Sequence, residues 1–491
     1  MKDKLIYIRG FSTLEVLVAF MVIILSLTSM VSLVFSGQSL VVDSENSSNA
    51  VRKAQALLEV AHAQSFLTLN SLPEASNGIY QESLNIQELD DYTKQATAKL
   101  IWQSEGRNHN LEISTIVTDP ASAVGGDSCS QTVSGNWQHP QIINFNLAQL
   151  AGVTGSYDIS GLDIYQNKLY VVANNTSAKT DPVFFVFDVA SSTQPVLISS
   201  IDNDSRVIAG PAAVKVVSKY AFLASASSYS RGQLQVIDLA ANPPSVVVTY
   251  KLPIINSSGS AKGLGSSIFY RNNYIYLGLT KSDSENELNI LDVSDPENPV
   301  FKGSYKIGNA INAIYVRGDH AYLAHPTDAG ASPQEQLTVL DISDPTSPKR
   351  INGFYFNGSS GGNGKSLYGT AGKLYFGRTA SKISGSSADF IPEFFAFNNS
   401  PSFSPSILAG LSLNTPQSLN GLIVRSNLAY FLTSNYFQIW DLSNPASITA
   451  WASPLSLPGN GSALDCEGNI FYVASVDNSG VGYLSVIFPG P

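Results

Sequence analysis

Hydrophobic and polar positions alternate in three different ways along the chain. From Phe11 to Phe35 there are 25 residues with no Lys, Arg, Asp, His, Gly or Pro, and Glu15 is the only ionisable group. A run of that length is enough for a helix to cross a bilayer. Further on, "SNAVRKAQALLEVAHAQSF" places Val51, Ala54, Leu58 and Ala61 at spacings of three, four and three, with Arg52, Lys53 and Glu59 on the other face. That spacing predicts that the helix continues with one apolar face. After Pro73 the period shortens to two, and "ATAKLIWQS" and "HNLEISTIVT" on either side of "EGRNH" predict a hairpin.

The rest of the chain, about three quarters of it, alternates Tyr, Phe, Val, Ile and Leu with Ser, Asn and Gly, and long amphipathic helical stretches are lacking. It carries an internal repeat: "LDIYQNKLYVVAN", "VKVVSKYAFLAS", "SIFYRNNYIYLGL", "AIYVRGDHAYLAH", "SLYGTAGKLYFGR", "LIVRSNLAYFLT" and "ALDCEGNIFYVAS". The aligned aromatics Tyr170, Phe222, Tyr276, Tyr322, Tyr375, Tyr430 and Tyr472 lie 42 to 55 residues apart, the length of one propeller blade. Each strand pair leads to a third strand, most of which end in a common corner, as in "LQVIDLAANPP", "LNILDVSDPENP", "LTVLDISDPTSP" and "FQIWDLSNPASI". Asp188, Asp238, Asp292, Asp341 and Asp441 are placed to accept backbone N–H groups just downstream, and the following Pro fixes the turn. Recurrence once per blade spreads these carboxylates around a ring, so they are read as structural. The seventh unit ends one strand short, and "HPQIINFNLAQL" upstream of the first repeat is expected to supply the missing strand and close the circle.

Ahead of the apolar run lies "MKDKLIYIRG", whose Lys2, Lys4 and Arg9 predict a cytoplasmic amino end and an exported remainder. Gly10 stands before the apolar core, whereas a secretory signal has its small-residue cleavage site after it. The pattern Gly10-Phe11-Ser12-Thr13-Leu14-Glu15 resembles the class III signal of type IV prepilins and pseudopilins. That resemblance implies cleavage between Gly10 and Phe11 by a prepilin peptidase, which also methylates the new terminus at Phe11. It further implies that Glu15 pairs with the terminal amine of a neighbouring subunit during assembly. A carboxylate in hydrocarbon costs roughly 2.5–3.5 kcal/mol on insertion scales, and an α-amino group of pKa about 8 is largely cationic at neutral pH, so the partnership is chemically matched. The corners "LDVSDPENP" and "LDISDPTSP" resemble those of LVIVD-repeat propellers of surface proteins.

The expected organisation is therefore multidomain. A leader spans 1–10 and a transmembrane and assembly helix spans 11–68; a small antiparallel sheet at 69–120 completes an α+β pilin fold. A linker spans 121–138, and an all-β seven-bladed propeller spans 139–491. Cys129 and Cys466 form a candidate disulfide at the closure point in an exported chain. His320 and His325, five apart in a predicted strand, face opposite ways and do not suggest a shared metal. Asp283, Glu285 and Glu287 in "SDSENEL" are weak calcium candidates, read as a solvated loop because the segment lacks the glycine and remaining ligands of an EF-type loop. Tyr229 and Arg231, in an exposed polar loop, are weak ligand-binding candidates.

Charge narrows the function further. Net charge is −10 and no basic cluster follows the leader, which argues against nucleic-acid binding. Charged residues make up 13% of the chain against an average of about 25%, with Ser, Asn and Gly in their place, as on an extracellular surface. No nucleophile–base arrangement, phosphate loop or cofactor motif is present, so neither enzyme nor cofactor is expected. The reading that follows is a minor pilin or pilin-like subunit displaying a propeller at the tip of a type IV pilus-like filament, or sparsely along it, for adhesion or assembly initiation. Its expected partners are other pilin subunits, the prepilin peptidase/methyltransferase, the inner membrane before assembly, and a cell-surface glycan or protein. The alternatives are a pseudopilin of a type II secretion-like system and an extracellular propeller enzyme.

Overall fold

The computed structural model describes residues 13–64, 69–90, 93–104, 106–118, 129, 133–175, 182–191, 193–202, 210–225, 232–327, 335–356, 362–370, 372–382, 390–398, 406–413 and 417–491. The chain divides into two compact units, one formed by 1–88 and 93–118, the other by 89–92 and 119–491.

In the first unit a 51-residue helix, Thr13–Ala63, precedes a four-stranded antiparallel meander formed by Leu72–Asn77, Tyr80–Asp90, Thr93–Ser104 and Arg107–Thr118. The helix buries Ala50, Ala54, Leu58 and Ala61 against Ala96, Ala98, Leu100 and Trp102. Alanine on both surfaces lets helix and sheet approach closely, and the i, i+4, i+8, i+11 spacing keeps these positions on one face. The predicted hairpin forms with Ser104 opposite Arg107, and Gly106 takes a left-handed φ of 77° at its turn. The helix ends at Ala63, earlier than the expected 68.

Earlier in the same helix the apolar side chains have no such partner. From Leu17 to Leu33 the large ones are 48–75% exposed, on every side of the helix. Among the described residues, however, no helix is long and apolar enough to cross a membrane. The uninterrupted stretch with described side chains is 20–33, about 21 Å at 1.5 Å per residue, against a hydrocarbon core of about 30 Å. The expected span at 11–35 is therefore not supported by the described residues.

Among the described residues the second unit has seven antiparallel sheets in chain order, plus a two-stranded ribbon inserted in the fifth (Ser381–Lys382 with Phe390–Ile391). The first strands of successive sheets pack against one another, and that of the seventh packs against that of the first, which closes a ring. This is the arrangement of a β-propeller. Its core is accordingly split into clusters shared by neighbouring blades. One joins Tyr170, Val172 and Val186 of blade one to Val216, Leu223 and Ile237 of blade two, and another joins Tyr472 and Val486 of blade seven to Leu162 and Phe187 of blade one.

The repeat is explained by two local devices. The first and second strands meet at two-residue turns that carry positive φ, at Gln166 and Asn167 in blade one and at Asn272 and Asn273 in blade three. Such turns match the twist of the paired strands. A bulge at one position between third and fourth strands recurs at Val186/Phe187, Val236/Ile237, Ile290/Leu291, Val339/Leu340 and Ala396/Phe397, adding the twist a blade needs.

The seventh blade is completed from upstream. Asn136–Asn146 pairs antiparallel with Gly482–Gly490, from Tyr483 opposite Asn146 to Gly490 opposite Asn136. Closure therefore begins three residues before the expected His139. The reason is Trp137, which is buried edge-on against Tyr430 and Phe471, with its indole N–H on Asn469 Oδ1 at 3.2 Å. Of the last residues assigned to a linker, Trp137 belongs to the packed interior between blades six and seven.

Candidate functional site

The five corner aspartates act within the fold. Asp188, Asp238, Asp292, Asp341 and Asp441 each accept, through Oδ1, the backbone N–H two residues on, at 2.8–2.9 Å. The residue between donates its own N–H to the second residue of the strand 1–2 turn, as Val293 does to Asn273 at 2.7 Å and Leu442 to Asn427 at 2.7 Å. The side-chain and backbone donors of Ser294, with Lys302 nearby, hold the Asp292 carboxyl down at about 2; Ser343 lowers that of Asp341 in the same way.

The acidic segment differs from expectation. Asp283 is exposed, but Glu285 and Glu287 are buried rather than solvated. Glu287 accepts the N–H groups of Ile307 and Gly308, both at 2.9 Å, that of Ser282 at 3.2 Å and the Lys306 ammonium at 2.8 Å. Glu285 accepts the Gly263 N–H at 2.8 Å and the Ser282 hydroxyl at 2.5 Å. Glu287 ties the crossover from blade three to blade four and Glu285 the one from blade two to blade three, since each of those segments leaves its sheet and lacks ladder partners for its N–H groups. Among the described residues no group of His, Cys, Asp and Glu is arranged to hold a metal.

The same place is filled by another polar group in other blades. Gln233 Oε1 accepts Leu252 N–H at 3.0 Å and Glu393 Oε2 accepts Leu413 N–H at 3.0 Å. The sequence signal was a Gln or Glu directly before the third strand in "GQLQVID", "NELNILD", "EQLTVLD" and "PEFFAFN". It passes unnoticed because a polar residue before a strand is expected to be solvated.

Blades four and five share a buried polar network. Arg378 donates from Nε to Gln336 Oε1 at 2.7 Å, from one terminal nitrogen to the Pro392 carbonyl at 3.2 Å and from the other to Ser381 Oγ at 2.6 Å. Burial pulls its pKa down to about 10, and burial raises that of Glu393. A side chain at Gly362 would collide with this guanidinium. His325 faces the Pro326 carbonyl at 2.9 Å with Nδ1 and Thr338 Oγ1 at 2.9 Å with Nε2, and Thr338 also lies 3.0 Å from Glu335, which pairs with Arg350. Burial lowers the pKa of His325 and of His320. Every polar arm of Arg378 and His325 is turned inward, so the cluster is built for packing rather than for a ligand.

Cys129 and Cys466 are joined by a disulfide, with Cα atoms 5.1 Å apart and both residues buried. Just after it, residues 133–138 stand against the corner of blade six and leave an open groove of about 590 Å³. The groove is lined by Gln138, Asn427, Asp441, Ser443 and Trp451, with Trp137 and Leu428 among its apolar walls. The outer strand of blade six is in two pieces, Thr449–Ala450 and Leu455–Ser456, and Trp451 sits at the interruption, just upstream of Pro454. Gly10, Phe11, Tyr229 and Arg231 lie outside the described residues. Glu15 lies within the helix Thr13–Ala63, but its side chain is not among those described.

Among solved structures, the N-terminal domain of Nup159 is 12% identical, covering 74% of this chain and 99% of that one with a TM-score of 0.39. The extracellular domain of a putative hybrid two component system, BT4673 from B. thetaiotaomicron, is 14% identical, covering 71% of this chain and 40% of that one with a TM-score of 0.44. Likenesses of that size carry no argument about function. The curated proteins give no match. The LVIVD repeat family matches residues 262–307 and 308–352, which carry blades three and four with their Asp292 and Asp341 corners, so this part of the chain is built of LVIVD repeats.

Proposed function

We propose that the chain is a minor pilin or pilin-like subunit that carries its propeller into a type IV pilus-like filament, at the tip or sparsely along the shaft, for adhesion or assembly initiation. The observation that carries this reading is the exposed apolar surface all round the helix between Leu17 and Leu33. A helix apolar on every side belongs in lipid or among other helices, and this one leads into a segment that packs on its own small sheet. The Gly10-Phe11 junction and Glu15 ahead of it supply the processing and pairing chemistry that such a helix would use. Before assembly the protein would be held in the cytoplasmic membrane by this segment, and afterwards it would lie on the cell surface.

Size supports sparse placement. The second unit holds about three quarters of the chain, so a filament with one on every subunit would have to accommodate far more bulk outside than in its shaft. Immunogold labelling of intact filaments with antibody to the propeller tests this. Gold at filament ends or at scattered points is expected, and dense uniform labelling of the shaft would overturn it.

A further inference from the structure

The groove beside blade six brings together groups that ask for one kind of ligand. Its volume, about 590 Å³, falls in the range of roughly 300–1,000 Å³ typical of small-ligand sites. Trp451 is 37% exposed, whereas Trp102, Trp137 and Trp440 are buried. The side-chain amides of Gln138 and Asn427 hold no hydrogen bond to another described residue. Asp441 adds a carboxylate, whose Oδ1 holds the Ser443 N–H, and Ser443 adds a hydroxyl. Among the described residues no Lys, Arg or His lines the groove.

We infer that this groove binds a neutral oligosaccharide, with the C–H face of one sugar stacked on Trp451 and its hydroxyls bonded to Asp441, Asn427 and Gln138. A pyranose ring offers a weakly positive apolar face to the negative face of an indole, and its rim of hydroxyls can both donate to a carboxylate and exchange bonds with amides. A phosphorylated or sialylated ligand would bring its anion against Asp441 with no lining cation to receive it. An apolar segment would cover the amides and the carboxylate without partners, at a cost of about 1–3 kcal/mol for each. The walls are set before any ligand arrives: Trp137 is wedged between blades six and seven, and the Cys129–Cys466 disulfide fastens the chain just upstream. A site held in shape loses less entropy on binding.

This assignment rests on the adhesive reading above and gives it a ligand class. The full-length protein is titrated with lactose, cellobiose and N,N′-diacetylchitobiose at millimolar concentrations while tryptophan emission is followed, with 3′-sialyllactose as the anionic comparison. At least one neutral sugar is expected to shift the emission of the exposed indole. Trp451→Ala is expected to weaken that binding by about tenfold or more without lowering the melting temperature, and Asp441→Asn to weaken it while retaining the corner acceptor. Sialyllactose should bind more weakly than lactose. No response to any neutral sugar, unchanged affinity in Trp451→Ala, or equal affinity for sialyllactose would overturn the proposal. Such a failure leaves gold labelling at filament ends untouched, and failed labelling leaves the titration of purified protein untouched, so the two readings fail separately.

Discussion

Glu287 shows how one buried carboxylate can hold a crossover in place. Its four acceptor contacts include two backbone N–H groups of the chain passing from blade three to blade four. Glu287→Ala strands those donors, and the expected loss is about 3 kcal/mol in chemical denaturation; a change under about 0.5 kcal/mol would contradict the assignment. His325 predicts a pH effect of known sign. Burial lowers its folded pKa below the unfolded value of 6.5, so the stability it contributes is present above pH 6.5 and is lost as pH falls through the folded pKa. His325 Nδ1 faces the Pro326 carbonyl and Nε2 faces Thr338 Oγ1, whose own proton goes to Glu335 Oε2, and Glu335 is paired in turn with Arg350. His325→Gln should therefore flatten the fall in melting temperature below pH 6.5. Part of the slope is retained because burial lowers the pKa of His320 as well. An unchanged slope would show that His325 takes no part.

At the scale of elements, the disulfide and the closing strand act on the same place. Asn136–Asn146 supplies the outer strand of blade seven, and Cys129 ties the preceding chain to Cys466 at the end of that blade's first strand. Replacing both cysteines with serine should lower stability by about 2–5 kcal/mol, and a reducing agent should lower the melting temperature of the native chain but not that of the double variant. Equal melting temperatures with and without reductant would contradict a structural role. The repeat and its closure were legible in the sequence because turn dipeptides, third-strand Val and Ile, and Asp corners are local signals repeated once per blade. What escaped was the buried polar chemistry. Glu285, Glu287 and Glu393 look like surface acids in sequence, and only the crossing of a non-adjacent segment supplies the N–H groups that bury them. The groove was illegible for the same reason, since 133–138 and 426–451 lie about 300 residues apart in the chain.

For the whole molecule, a helix whose described large apolar side chains between Leu17 and Leu33 are exposed stands in one compact unit and a closed β ring in the other. The ring buries its cores between neighbouring blades and leaves its loops and corners at the surface. On the proposed reading the helix would lie in lipid before assembly and among neighbouring helices after it, with Glu15 and a newly exposed amine at Phe11 forming the pair that joins subunits. Glu15→Ala should leave export and propeller stability unchanged while reducing recovery in sheared filaments by about tenfold or more, the effect of losing a charge pair worth about 1.4 kcal/mol or more; undiminished recovery would speak against the pairing. The most direct test is the amino-terminal mass of protein recovered from the cell surface. A chain that begins at methylated Phe11 is expected, and a chain that still begins at Met1 would contradict the filament reading.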